Sequence, residues 1–245
     1  MFAIQNMEVP LELISQPSID KLHSANPYLP EDPLNLLKSG DYNTDVDILL
    51  GFNEDDGLLI SQFFHQAPHL YNVLAEAWDF LGPFALLQKH HTEITDDDIR
   101  MVTELLDFYT DGGGLESLGP SNFWNITNLF TDSFFTYANH MFLKHHLIHS
   151  EANTFQYRFS YFGKYHRVGA PGLDHDNCPG VTHSDELYFF WNPFWEAEYP
   201  LDQKDSDMSL KMTTMWTNFA KTGDPNLGTD LELPYWRPQS PEDKM

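Results

Sequence analysis

The amino-acid sequence predicts an α/β fold, and three observations carry that reading. The run Val46-Asp47-Ile48-Leu49-Leu50 is β-branched and apolar, has strand length and stops at Gly51. Residues 154–161 (TFQYRFSY) alternate like a half-buried strand. Between and after these runs stand long segments with apolar residues at helical spacing. Strands separated by helices and loops argue for the α/β class, with the first run reading as a buried parallel strand.

Taken in order, residues 17–42 (PSIDKLHSANPYLPEDPLNLLKSGDY) read as a surface segment with one short helix through Leu34, Leu36 and Leu37, closed by Gly40. After the strand, the polar cluster Asn53 to Gly57 is a turn. Helical spacing then reappears from Leu70 to Leu87. The next helix is better signalled. Thr95 is its N-cap, Asp96, Asp97 and Asp98 complement the dipole of the first turn, and Ile99, Val102, Leu105 and Leu106 form its apolar face. The aspartate triplet is thus a helix start, not a metal site. Residues 111–121 (DGGGLESLGPS) are a loop, and 122–151 carry apolar residues every three to four positions. Residues 163–182 are loop, a helix is expected after His183, and a last helix spans Met208 to Lys221, ending at Gly223 with Pro225 beyond.

Composition bounds the function. The 245 residues hold 13 Lys+Arg against 37 Asp+Glu, a net charge of −24, which excludes a default nucleic-acid reading because phosphate binding needs clustered cations. The acidic surplus reads as a solvated, self-repelling surface. Six Trp, 11 Tyr and 19 Phe can bury a sizeable core. One cysteine, Cys178, makes no internal disulfide. The first residues, MFAIQNMEVPLELISQ, lack the basic start and apolar core of a signal peptide. The aromatic stretch Leu187 to Trp195 is broken by Asn192 and Pro193 and falls short of the ~20 residues that span a bilayer, so no membrane span is expected.

Two spots look chemical. Gly51-Phe52-Asn53-Glu54-Asp55-Asp56-Gly57 puts a carboxylate just before a glycine at the carboxyl end of a strand, where open α/β sheets bind ligands. Gly180-Val181-Thr182-His183-Ser184-Asp185-Glu186 puts a histidine on a loop before an aromatic segment. An acid and a histidine in this order suit the last two members of a nucleophile–acid–base triad. With 12 histidines and 37 acids in the chain, spacing alone leaves both residues readable as ordinary turn positions.

Longer stretches add a resemblance. Residues 27–59 (PYLPEDPLNLLKSGDYNTDVDILLGFNEDDGLL) resemble the segment of type-B carboxylesterases, the cholinesterase-like branch of the α/β-hydrolase fold, that leads to the triad acid. GVTHSDELYFF at 180–190 is similar to the family's histidine loop, MWTNFAKTGDPN at 215–226 to its C-terminal helix and turn, and LPYWRP at 233–238 to its closing tryptophan segment. The matches are in order, and the wording of the C-terminal turn is near that of the bile-salt-activated lipases. The resemblance implies that Asp56 is the triad acid, His183 the general base, and Glu186 a carboxylate standing beside them. Many relatives carry glutamate where Asp56 stands, but an aspartate can still orient the imidazole and stabilise its cation.

The family's nucleophile lies on a G-x-S-x-G elbow that precedes the acid, with a glycine-rich oxyanion loop earlier still. No G-x-S-x-G occurs in the 245 residues. Gly114-Leu115-Glu116-Ser117-Leu118-Gly119 has one residue too many before its serine and follows the acid, and Gly112-Gly113-Gly114 opens on no strand that would aim its amides. The expectation is therefore that residues 1–245 are the C-terminal portion of a type-B carboxylesterase domain, with an incomplete α/β-hydrolase sheet, an apolar face, an exposed strand edge, and the nucleophile and oxyanion loop absent.

On that resemblance the complete protein hydrolyses small carboxylic esters or lipids with no metal or cofactor, and these residues alone are inactive. The other reading is a non-catalytic cholinesterase-like adhesion or binding protein; a truncated gene model or a degenerate copy is compatible with either. His145 and His149 sit one helical turn apart but lack further ligands, so a polar helix face is expected there, not a zinc site. Asn125-Ile126-Thr127 is an N-glycosylation sequon, relevant if the protein is secreted. Tyr188, Phe189, Phe190, Trp191 and Trp195 read as core and pocket wall near His183. Compartment, secreted or cytoplasmic, stays open, and C-terminal helices form homodimer contacts in some relatives.

Overall fold

A computed structural model describes residues 19–20, 25–87, 89, 92–164, 180–191, 201–228 and 233–243. Cys178, Asn192, Pro193, Trp195 and most of the loop before His183 lie outside them.

Two parallel strands, β1 (Ile48–Asn53) and β2 (Thr154–Phe159), pair in register from Ile48 opposite Thr154 to Asn53 opposite Phe159. The first strand does not stop at Gly51 but runs through it to Asn53. Gly51 faces Tyr157 across the pair, and a Cβ there would fall inside the tyrosine ring, so this glycine permits a close approach and does not end the strand.

The chain enters β1 from α1 (Pro33–Ser39). Asp32 caps this helix by accepting from Leu34 N, and Gly40 closes it at φ 74°, the left-handed conformation expected of a C-terminal glycine. Between Gly57 and Leu87 the structure corrects the single expected helix to three. These are α2 (Leu58–Gln66), α3 (His69–Glu76) and α4 (Trp78–Leu87). Pro68 breaks α2 from α3, because the residue before a proline is driven out of the helical region. The N-terminus of α2 has no side-chain cap, which hides it in the sequence.

α5 (Asp96–Tyr109) starts as expected. Thr95 and Asp98 form a reciprocal capping box, and Val102 and Leu106 are buried. The segment from 122 is helical but interrupted: α6 (Phe123–Thr131) passes through one π-helical turn (Asp132–Thr136) into α7 (Tyr137–His149). Tyr109 donates a hydrogen bond to Asp132 at the head of that turn. The helix expected after His183 is only a short 3₁₀ segment, Asp185–Phe189. The last helix, α8 (Gln203–Thr222), begins earlier than expected, at Asp202, whose carboxylate accepts from Asp205 N at 2.9 Å. It ends at Gly223, φ 74°.

Among the described residues, two apolar clusters hold the elements. Tyr71, Leu74, Trp78, Val102, Leu106 and Ile126 join α3 to α6. Phe159, Val181, Phe189 and Met212 join β2, the histidine loop and α8, with Trp216 packed on Tyr157 at 5.1 Å between ring centres. The outer edge of β2 is partly covered by the C-terminal segment, where Trp236 Nε1 donates to Gln156 O and Gln239 N to Thr154 O. Covering an edge in this way blunts strand-to-strand association. Among the described residues no helix is long and apolar enough to cross a membrane.

Candidate active site

The carboxyl end of β1 turns into α2 through Glu54, Asp55, Asp56 and Gly57, and this turn is locked locally. Asn53 N donates to Asp56 Oδ2 at 2.8 Å, and Leu58 N donates to Asp55 O at 2.9 Å. Gly57 is in ordinary helical backbone, φ −62°, yet no other residue fits there. A Cβ would overlap the carbonyl oxygen of Thr127 and come within 2.5 Å of Thr131 N, while Gly57 N donates to Thr131 Oγ1 at 2.9 Å. The glycine after the acid is thus the point at which the turn presses on α6.

The histidine loop comes to this turn from β2. Asp55 and Val181 exchange two bonds: Asp55 N donates to Val181 O at 3.0 Å, and Val181 N donates to Asp55 Oδ2 at 2.9 Å. Burial, the largest influence, raises the carboxyl pKa of Asp55 above its usual range. Thr182 N donates to Asp185 Oδ2, and Ser184 takes φ 73°, so the chain reverses sharply around His183. The two expected site residues meet here, 127 positions apart in sequence: His183 Nδ1 lies 3.0 Å from Asp56 Oδ1.

Their surroundings differ. The Asp56 side chain is 2% exposed and that of His183 43%. Phe135, from the π turn, lies against the imidazole at 4.9 Å between ring centres, a contact with no local signal in the sequence beyond an apolar residue at helical spacing. π turns often mark functional positions, since the extra residue re-aims a side chain.

Glu186 does reach the pair's surroundings, through a residue that motif reading passed over. Asn53 Nδ2 donates to Glu186 Oε2 at 2.5 Å and to Thr182 O at 2.7 Å. Tyr157 stands near both carboxylates; burial first, then the charges of Glu186 and Asp56, push its hydroxyl up to about 12. A cleft of about 250 Å³ opens elsewhere, beside Phe52, Glu54, Tyr109, Asp132 and Arg158, and includes neither Asp56 nor His183.

The other candidates are used structurally. Ser117 Oγ donates to Gly114 O inside a 3₁₀ turn between α5 and α6. His149 Nε2 is 3.0 Å from Lys38 O, and the buried His146 has Nδ1 2.8 Å from the Tyr42 hydroxyl, so these two α7 histidines dock the segment around α1. Asn125 lies on α6, where Thr127 of its sequon is buried and bonded to Ser61. Of the aromatics near the histidine, Phe189 is core and Trp191 is 66% exposed.

The profile described as the Carboxylesterase family matches residues 4–245. The chain is 29% identical over 219 residues to a bile salt-activated lipase of Rattus norvegicus, covering 88% of this chain and 33% of that protein. It is 28% identical over 203 residues to neuroligin-2 of Homo sapiens, covering 81% of this chain and 23% of that protein. The crystal structure of juvenile hormone esterase from Manduca sexta, with OTFP covalently attached, shares the fold at a TM-score of 0.65 and 21% identity, over 88% of this chain and 38% of that one. The chain therefore spans about a third of the length of the lipase it matches. Parallel strands with flanking helices, an acid turn met by a histidine loop, and a profile match over nearly every residue agree: this chain belongs to the carboxylesterase family.

Proposed function

We propose that Asp56 and His183 are the acid and general base of a serine ester hydrolase. The observation that carries this reading is the 3.0 Å contact between a buried carboxylate and a half-exposed imidazole. With its proton on Nδ1, His183 donates to Asp56 and turns Nε2 into the acceptor. Nε2 then takes the proton of the attacking serine and returns it to the leaving alcohol, while the Asp56 charge stabilises the imidazolium formed between these steps. Asp56 is held as a hydrogen-bond acceptor throughout by Asn53 N. The serine and the oxyanion donors are proposed to lie outside these 245 residues, in which the elbow motif does not occur. The similarity to a bile salt-activated lipase supports small carboxylic esters or lipids as substrates.

A second reading, a non-catalytic adhesion or binding protein of the same fold, has the neuroligin-2 similarity in its favour. Adhesion offers no chemical reason to hold a histidine on a buried carboxylate, so ester hydrolysis is preferred. The test is to read the transcript upstream of Met1 and assay both products. Residues 1–245 alone are expected neither to hydrolyse p-nitrophenyl esters nor to be labelled by a fluorophosphonate. An in-frame extension carrying a G-x-S-x-G elbow should do both, and an extension with another residue at the serine position sinks the proposal.

A further inference from the structure

We propose that Asn53 is a positioning residue that holds the acid and the histidine in one frame; this rests on reading Asp56 and His183 as acid and base. Asn53 is 2% exposed at the last position of β1. Its carboxamide has two N–H donors, and both are committed: one to Thr182 O at 2.7 Å, the other to Glu186 Oε2 at 2.5 Å. Its main-chain N–H donates to Asp56 Oδ2, leaving Oδ1 for His183. Thr182 O belongs to the peptide that joins Thr182 to His183, so a shift of that carbonyl moves the histidine directly.

The orientation of the carboxamide follows from its partners. Both are acceptor oxygens, so a flipped amide would set Oδ1 against a carbonyl and a carboxylate. Glu186 then has a defined part: its charge strengthens the bond that keeps the carboxamide turned toward Thr182. A misplacement of about 1 Å at a reacting group costs on the order of 100-fold in rate, which is the scale of effect that such a frame controls. The paired bonds of Asp55 with Val181 do not involve Asn53, so they keep the loop's entry attached when Asn53 is changed.

The test uses the full chain and reads the His183 ring by long-range ¹H–¹⁵N NMR at mildly alkaline pH, with its signals assigned by their loss in His183→Gln. The expected result is one tautomer, protonated on Nδ1. Asn53→Asp keeps the shape and removes both donors, and should abolish that single-tautomer pattern while a cooperative urea transition is retained. A ring pattern unchanged in Asn53→Asp overturns the proposal. Should this variant not fold, hydrogen exchange of the Asn53 carboxamide in the unmodified chain decides. Two protected protons support the frame, and exchange at the rate of an exposed amide overturns it. Neither measurement reads hydrolysis, so a failure of the esterase reading is seen separately, as absence of turnover in an elbow-bearing product.

Discussion

The acid turn and the histidine loop reach the same place by different physics. In the acid turn, Asp56 is oriented by Asn53 N only three residues away, and Gly57 is pressed against the backbone of α6. The histidine loop has a local reversal at Ser184, but its placement comes from Asp55 and Asn53, more than a hundred positions upstream. Asp56 is therefore built into the fold and buried, whereas His183 is pinned from outside and left half-exposed. The proposed roles call for this division, because the orienting charge stays in place while a general base has to reach the substrate.

The largest expected effect is at His183, the proposed base. In an elbow-bearing product, His183→Ala should lower kcat by about 10⁶-fold, the scale seen when a triad base is removed elsewhere, with its urea midpoint close to that of the unsubstituted protein. Near-normal turnover would end the assignment. The next largest effect is on the acid side. Gly57→Ala drives a methyl into the backbone of α6, which has nothing flexible to give, and should cost about 3 kcal/mol in urea unfolding. On the histidine side, Gly180→Ala meets side chains and no backbone, the ends of Leu58 and Trp124 at 2.5 and 2.8 Å and Asp55 Oδ2 at 3.3 Å, and should cost about 1 kcal/mol. Equal costs for the two glycines would erase the distinction between the loops.

A smaller effect concerns His146, which docks Tyr42 and the segment leading into β1. Burial first, and the neighbouring charge of His149 second, lower its pKa below 6.5, the ordinary histidine value. The unfolded chain then binds the proton more readily than the folded one, so this residue costs stability as pH falls below about 6.5, until the folded-state pKa is passed. The urea midpoint should drop over that range, and His146→Leu should flatten this part of the slope. An unchanged slope would show that the buried imidazole does not titrate differently in the two states.

What was legible in the sequence follows the same line between local and distant causes. The N-cap Thr95 and the helix-ending glycines 40 and 223 are set within four residues, and all three stand where the pattern puts them. The segments around Asp56 and His183 single the two residues out as a pair, and the fold brings them into contact. The strand's passage through Gly51 was not, because it depends on Tyr157 across the sheet. Nor was the role of Asn53, visible in the motif as one polar residue among several, whose partners Thr182 and Glu186 arrive only with the fold. Phe135 reaches His183 through a π turn, which shifts the helical phase that sequence spacing assumes.

Buried Asp56 and half-exposed His183 form one hydrogen-bonded unit. Its most direct test is the proton NMR spectrum of residues 1–245 in the far-downfield region at low temperature. A resonance from His183 Nδ1–H is expected, slow to exchange and lost in Asp56→Ala. Its absence from the unsubstituted protein, or its survival in Asp56→Ala, would show that the two residues do not form such a unit.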